Sequence, residues 1–226
     1  MTSEARADVA TRGYLVAKER VIGAGFEDEI AWQSSVDPHA VANADFAREA
    51  AWVVLSSGMR EAVVRRVFPS FSHQLLEFHD LKEVSTHRPY FRSRATKVFA
   101  HGGKVDAVLE ICGEVDKHGA TALVLEALDE GVGVLERLPY IGPATARHLA
   151  KNLGLSVAKP DRHLLRIAAA LGYVADVDRL CRTISEACGD AVAVIDLVFW
   201  RFATIEPAYP RLLRVAQENN AVVHGG

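Results

Sequence analysis

The apolar residues of this chain recur every three to four positions rather than every two, and that period decides what it can fold into. Phe46, Ala50, Val53, Val54 and Ser57 fall on one helical stripe. Val105, Val108, Leu109, Cys112 and Val115 form a second, and Ala146, Leu149, Ala150 and Leu153 a third. Side chains at this spacing return to one side of an α-helix, whereas a half-buried strand alternates. The cluster Ala191-Val192-Ala193-Val194-Ile195 could be a strand in isolation, but it runs on to Phe202 without a turn signal, which predicts a buried helix. Breaks are expected at Pro69, Pro89, Gly102-Gly103, Gly131 to Gly133, Pro139 to Pro143, Gly154, Pro160, Gly172 and Pro207. The expected fold class is all-α, with no internal repeat and no long linker.

At 226 residues, 50% of them apolar and 24% charged, the chain can bury a sizeable core and has the composition of an ordinary globular protein. We expect one compact body, with disorder confined to the ends. The start, Met1 to Arg6, lacks the apolar run of a secretory signal, and no later stretch reaches the roughly 18 apolar residues of a membrane helix. A cytoplasmic, nucleoid-associated monomer is expected, with no membrane partner. The three cysteines, Cys112, Cys181 and Cys188, are too few for a disulfide framework. Cys181 and Cys188 share a helical face, where packing is the expected role, since a tetrahedral metal site needs more ligands.

The formal net charge of −3 argues weakly against a nucleic-acid partner, but its distribution argues for one. Arg88, Arg92, Arg94, Lys97 and Lys104 form a segment without an acid. Arg137, Arg147, Lys151, Lys159, Arg162 and Arg166 stand against the single acid Asp161. Fields beyond a Debye length of about 8 Å are largely screened, so local sign governs attraction to phosphate. Two solvated basic helix faces would produce the same pattern.

The segment Leu135 to Gly172 carries the most information. A helix is predicted to end near Leu138, Pro139-Tyr140-Ile141-Gly142 to form a tight hairpin, and Pro143 to open the next helix, where its fixed φ and missing N–H cost nothing. Free backbone N–H groups at the hairpin and the helix start would suit an anion such as a DNA phosphate. Arg147, His148 and Lys151 follow on the same helix. Asp161, after Pro160 and before Leu164, Leu165 and Ala168, is an ideal helix N-cap.

Leu138-Pro139-Tyr140-Ile141-Gly142-Pro143-Ala144-Thr145-Ala146 resembles the hairpin of the helix-hairpin-helix DNA glycosylases. Pro160-Asp161-Arg162-His163 with Arg166-Ile167 resembles their downstream aspartate loop. Phe91 to Val98 is similar to the helix start that precedes the hairpin in endonuclease III-like enzymes. Leu55-Ser56-Ser57-Gly58 is similar to the end of an early barrel helix from which that family presents groups to DNA. Together these span about residues 46 to 203. The resemblance implies two helical subdomains with a cleft between them: one of residues 45–155 carrying the hairpin 138–146, the other of residues 1–44 plus 156–226 carrying Asp161. It departs from the family at Tyr140, where a glycine is common. It departs again at Ala144, which aligns with the lysine of the lyase members. Lys159 and Lys151 are the remaining amines that could replace it. The iron-sulfur loop of some members of that family needs four cysteines near the C-terminus, where only Cys181 and Cys188 are available, so neither a cluster nor another cofactor or metal is expected.

The implied activity is monofunctional excision of a damaged or mispaired base from double-stranded DNA. Breaking the N-glycosidic bond develops positive charge on the sugar, which the Asp161 carboxylate would stabilise while orienting or deprotonating water. The target nucleotide would be flipped into a pocket. Trp52, Phe199 and Trp200 are candidates for its walls, with Arg201 beside them, although Trp52 and Phe199 fit apolar core stripes equally well. Pro139, Tyr140, Ile141, Gly142, Pro143, Thr145, Arg147, Lys151 and Arg94 are the candidate DNA contacts. Met59 and Arg60 could probe the gap left by the flipped base or be plain loop residues. His163 fits a helix residue better than a base. Asp196, alone in an apolar helix, needs a partner if buried and could shape the pocket. The alternatives are a DNA-binding protein that kept the hairpin without catalysis, and a glycosylase with lyase activity from another lysine.

Overall fold

The computed structural model describes residues 2–174 and 176–213, and these contain helices and no strand. The expected disorder of the C-terminus therefore lies outside the described residues. The chain divides into two units, Met1–Ser35 with Ser156–Gly226, and Val36–Leu155. The first boundary falls at 35/36 rather than 44/45. The 3₁₀ turn Pro38–Ala40 packs on the helix Ala120–Asp129, and the side-chain Oδ1 of Asn43 accepts from the Ala120 N–H at 2.7 Å, which ties this stretch to the second unit.

The discontinuous unit contains α1 (Ser3–Gly23), α2 (Glu27–Ser35), α10 (Arg162–Ala170), α11 (Val177–Cys188) and α12 (Val192–Ile205). The run predicted as a buried helix is α12, where Val192 to Phe199 are all buried. Val9, Tyr14, Ala17 and Val21 of α1 belong to the same core, and the Tyr14 and Phe199 rings meet edge to face at 5.6 Å. Full burial of such side chains contributes about 1.5–3 kcal/mol each. The Tyr14 hydroxyl, which needs a polar partner at the edge of this core, donates to Asp190 at 2.5 Å, and Lys18 pairs with the same carboxylate at 2.7 Å.

The continuous unit contains α3 (Asn43–Ser56), α4 (Glu61–Gln74), α5 (Leu81–Thr86), α6 (Arg88–Val98), α7 (Gly102–His118), α8 (Ala120–Asp129) and α9 (Pro143–Asn152). Helix α3 is the central piece: its stripe of Phe46, Ala47, Ala50, Val53 and Val54 is buried, and it packs against α4, α7 and α9. Pro69 does not break α4, contrary to expectation. It lies on the exposed side of the helix, where water can satisfy the carbonyl that loses its N–H partner. Gly154 ends α9 with φ +85°, and a Cβ there would stand 2.8 Å from the Val36 carbonyl oxygen, so both the turn and the close approach require glycine.

Candidate functional site

The hairpin forms as its residues dictate. The Ile141 N–H donates to the Leu138 carbonyl at 3.1 Å, closing a turn with Pro139 at its second position and Tyr140, at φ +64°, at its third. That third position favours glycine, and tyrosine holds it at a cost of about 1–2 kcal/mol. Gly142 caps α9, its N–H donates to Thr145 Oγ1 at 2.7 Å, and the same hydroxyl donates to the Gly142 carbonyl at 2.9 Å. Thr145 thus spends its side chain on the hairpin, and the amides of Ile141 and Gly142 are not free donors. The first-turn amides of Ala144 and Thr145 remain, aimed along the helix start without an intrahelical acceptor. Pro143 and Ala144 are exposed, Pro139 and Gly142 are half-buried, and Ile141 is part of the core.

Tyr140 is 49% exposed, yet its ring is not loose. It meets His101 edge to face at 6.1 Å, and its hydroxyl lies against Gly103 in the first turn of α7. From that same turn Lys104 reaches the C-terminal end of α3. Its ammonium donates to the carbonyls of Leu55 at 2.9 Å and Ser57 at 2.5 Å. A cation in the first turn of a helix opposes that helix's dipole, and burial pulls its pKa down. Here it is held by the opposite pole, the unsatisfied carbonyls of α3. Met59 and Arg60 follow on the exposed loop that these bonds anchor.

The basic residues are less available than their spacing suggests. Arg92 makes a two-pronged ion pair with Asp106 at 2.5 and 3.0 Å, and Arg137 pairs with Glu126. Arg94 donates to Gln74 at 2.9 Å and to the Tyr90 hydroxyl at 2.6 Å. Lys151 is 5% exposed, so it is not displayed as a phosphate contact requires; its charge acts on Glu49 instead. Burial raises the Glu49 carboxyl to about 7, against the hydrogen bond from Asn152 at 2.8 Å and the charges of Lys151 and Arg48. Arg147 and His148 are half-buried on α9. Trp52 is half-buried on α3, edge to face with Phe68 at 5.2 Å and capped by the Arg65 guanidinium at 5.8 Å.

In the discontinuous unit Asp161 caps α10. Its Oδ1 accepts from the amides of His163 at 2.8 Å and Leu164 at 3.0 Å. Oδ2 has no partner among the described residues, and the side chain is only half-buried. One oxygen therefore fixes the carboxylate while the other stays open to a ligand or water. The preceding loop hangs from two carboxylates: Asp178 accepts from the Ala158 N–H at 3.2 Å and Asp196 from the Lys159 N–H at 2.7 Å. His163 is bridged to the Tyr209 hydroxyl at 3.2 Å and accepts from Arg162 at 3.3 Å, and burial lowers its pKa, so it stands as a neutral helix residue.

Phe199 takes the core alternative, with no exposure. Trp200 is half-buried under the Arg201 guanidinium at 4.8 Å, and Arg201 is bound by both oxygens of Glu29. Cys181 is fully buried, its thiol pushed up by desolvation. No group of three or more histidine, cysteine or acidic residues able to hold a metal occurs among the described residues, and no helix among them is long and apolar enough to cross a membrane.

No protein-family model and no curated protein matches the chain. Its structure is similar to the crystal structure of an 8-oxoguanine glycosylase/lyase of Methanocaldococcus jannaschii in complex with a 15mer DNA containing 8-oxoguanine. The TM-score is 0.55 at 16% identity, covering 84% of this chain and 96% of the other. The described residues thus share the helical fold of that structure, with a hairpin leading into α9 in one unit and a helix-capping aspartate in the other.

Proposed function

We propose that this protein is a monofunctional DNA glycosylase that removes a damaged or mispaired base from duplex DNA in base excision repair. The observation that carries this reading is the state of Asp161, one oxygen committed to capping α10 and the other open. A carboxylate held in this way costs no reorganisation when positive charge develops on the sugar, which is the condition for electrostatic stabilisation of a transition state. The open oxygen is suited to orient water or take its proton. The hairpin supports DNA as the partner, because the amides of Ala144 and Thr145 form the anion-binding start of α9. The reacting nucleotide would be flipped out of the stack, and a monomer suffices for this chemistry.

Ala144 supports hydrolysis over lyase chemistry, since the second hairpin helix offers no amine at that position. Lys151 is buried beside Glu49, which leaves it poorly placed for a Schiff base. The similarity to a protein named as an 8-oxoguanine glycosylase/lyase makes 8-oxoguanine the first base to test, alongside alkylated bases and mismatches. The test is release of labelled bases from a panel of such duplexes. Base release with strands that break only after alkali, and no adduct trapped by borohydride, is the expected result. Breakage without alkali moves the reading to a bifunctional enzyme, and binding with no release across the panel moves it to a non-catalytic DNA-binding protein.

A further inference from the structure

Asp196 is 3% exposed in a helix whose other residues from Val192 to Phe199 are apolar. A buried carboxylate is costly unless its hydrogen bonds are met, so a residue needed only to pack α12 would be apolar. Its Oδ2 accepts from the Lys159 N–H at 2.7 Å. The carbonyl of the same Lys159 accepts from the Asp161 N–H, also at 2.7 Å, closing a short turn around Pro160. Pro160 fixes its own φ, and Asp161 is pinned forward by the amides of His163 and Leu164. One residue upstream, Asp178 of α11 holds the N–H of the fully buried Ala158 at 3.2 Å. The backbone from Ala158 to α10 is therefore a chain of short links with Asp196 at its root.

We propose that Asp196 is a positioning residue that sets where Asp161 stands, acting through the Lys159 peptide, with Asp178 as a second tether. The inference rests on the glycosylase reading, since it assigns Asp196 a part in that reaction. Removing the Asp196 acceptor frees the Lys159 amide and lets the Pro160 turn shift, so the Asp161 carboxylate moves while the hairpin in the other unit is untouched. A misplacement of about 1 Å at a reacting group costs about 100-fold in rate.

The test compares Asp196→Ala, which removes the acceptor, with Asp196→Asn, which keeps one oxygen. Single-turnover excision is measured on the panel duplex that the wild-type protein processes fastest. Affinity is measured on a duplex carrying a tetrahydrofuran abasic analogue, and thermal stability is recorded for each protein. The expected result is a rate at least about tenfold lower for Asp196→Ala, with affinity within about threefold of wild type, and recovery to within about threefold for Asp196→Asn. Hydrogen exchange at the amides of 158–164 should quicken in Asp196→Ala alone. Wild-type excision by Asp196→Ala overturns the proposal, and so does a parallel loss of rate, affinity and stability in both variants. A wild-type protein that excises nothing sinks the glycosylase reading, and this inference with it, before any substitution is made.

Discussion

The phenolic oxygen of Tyr140 lies 3.1 Å from the point where a Cβ on Gly103 would stand. The hairpin residue that departs from glycine is thus seated on a glycine in the first turn of α7, and the His101 ring closes its other side. Packing there offsets the strain of φ +64°. Tyr140→Gly loses the packing and the strain together, whereas Tyr140→Ala loses the packing and keeps the strain. We predict that the glycine variant is the more stable of the two by about 1 kcal/mol, measured by urea denaturation. Equal stability, or the reverse order, contradicts the role assigned to this contact.

Glu49 gives a pH dependence with a definite sign. Burial holds its carboxyl at about 7 in the folded protein, against an ordinary value of 4.5. The folded state therefore holds a proton that the unfolded chain has released between these values. The resulting stabilisation is full below about 4.5 and is lost as pH rises through about 7. From pH 5 to pH 8 the wild type should lose on the order of 1–3 kcal/mol relative to Glu49→Gln. A stability difference between the two proteins that stays constant over this range would show that Glu49 titrates normally.

Arg137 ends the 3₁₀ turn that enters the hairpin, and its charge is paired with Glu126. Glu126→Gln releases that charge beside the proposed phosphate site. Affinity for duplex DNA at low salt should rise by about twofold to fivefold, and the gain should fade as salt is raised. An unchanged affinity at every salt concentration would place Arg137 away from the DNA.

The helices of this fold were legible because each stripe is local: the faces of α3, α9 and α12 are written within single stretches of sequence. The hairpin and the Asp161 cap were legible for the same reason, since their hydrogen bonds span four residues or fewer. What stayed hidden depends on pairs far apart in the chain. Asp106 and Glu126 neutralise arginines that the charge pattern offered to DNA. Asn152 and Glu49 meet across 103 positions, and the charge of the buried Lys151 acts on the same carboxylate. Two signals were nonetheless present in the sequence. Lys104 stands two residues after Gly102 at the wrong end of a helix for a cation, and Asp196 interrupts an apolar helix. Each marks a charge that a distant backbone segment must satisfy, although neither sequence position names that segment.

The most direct test of the central claim is base excision by Asp161→Asn. Asparagine is as good an N-cap as aspartate, so the amides of His163 and Leu164 keep their acceptor and the fold should be preserved. What is lost is the charge on the open oxygen. Excision of the preferred modified base should fall by about 100-fold or more, with affinity for the same duplex within about threefold of wild type. An Asp161→Asn protein that excises the base at the wild-type rate would remove Asp161 from the reaction and contradict the account.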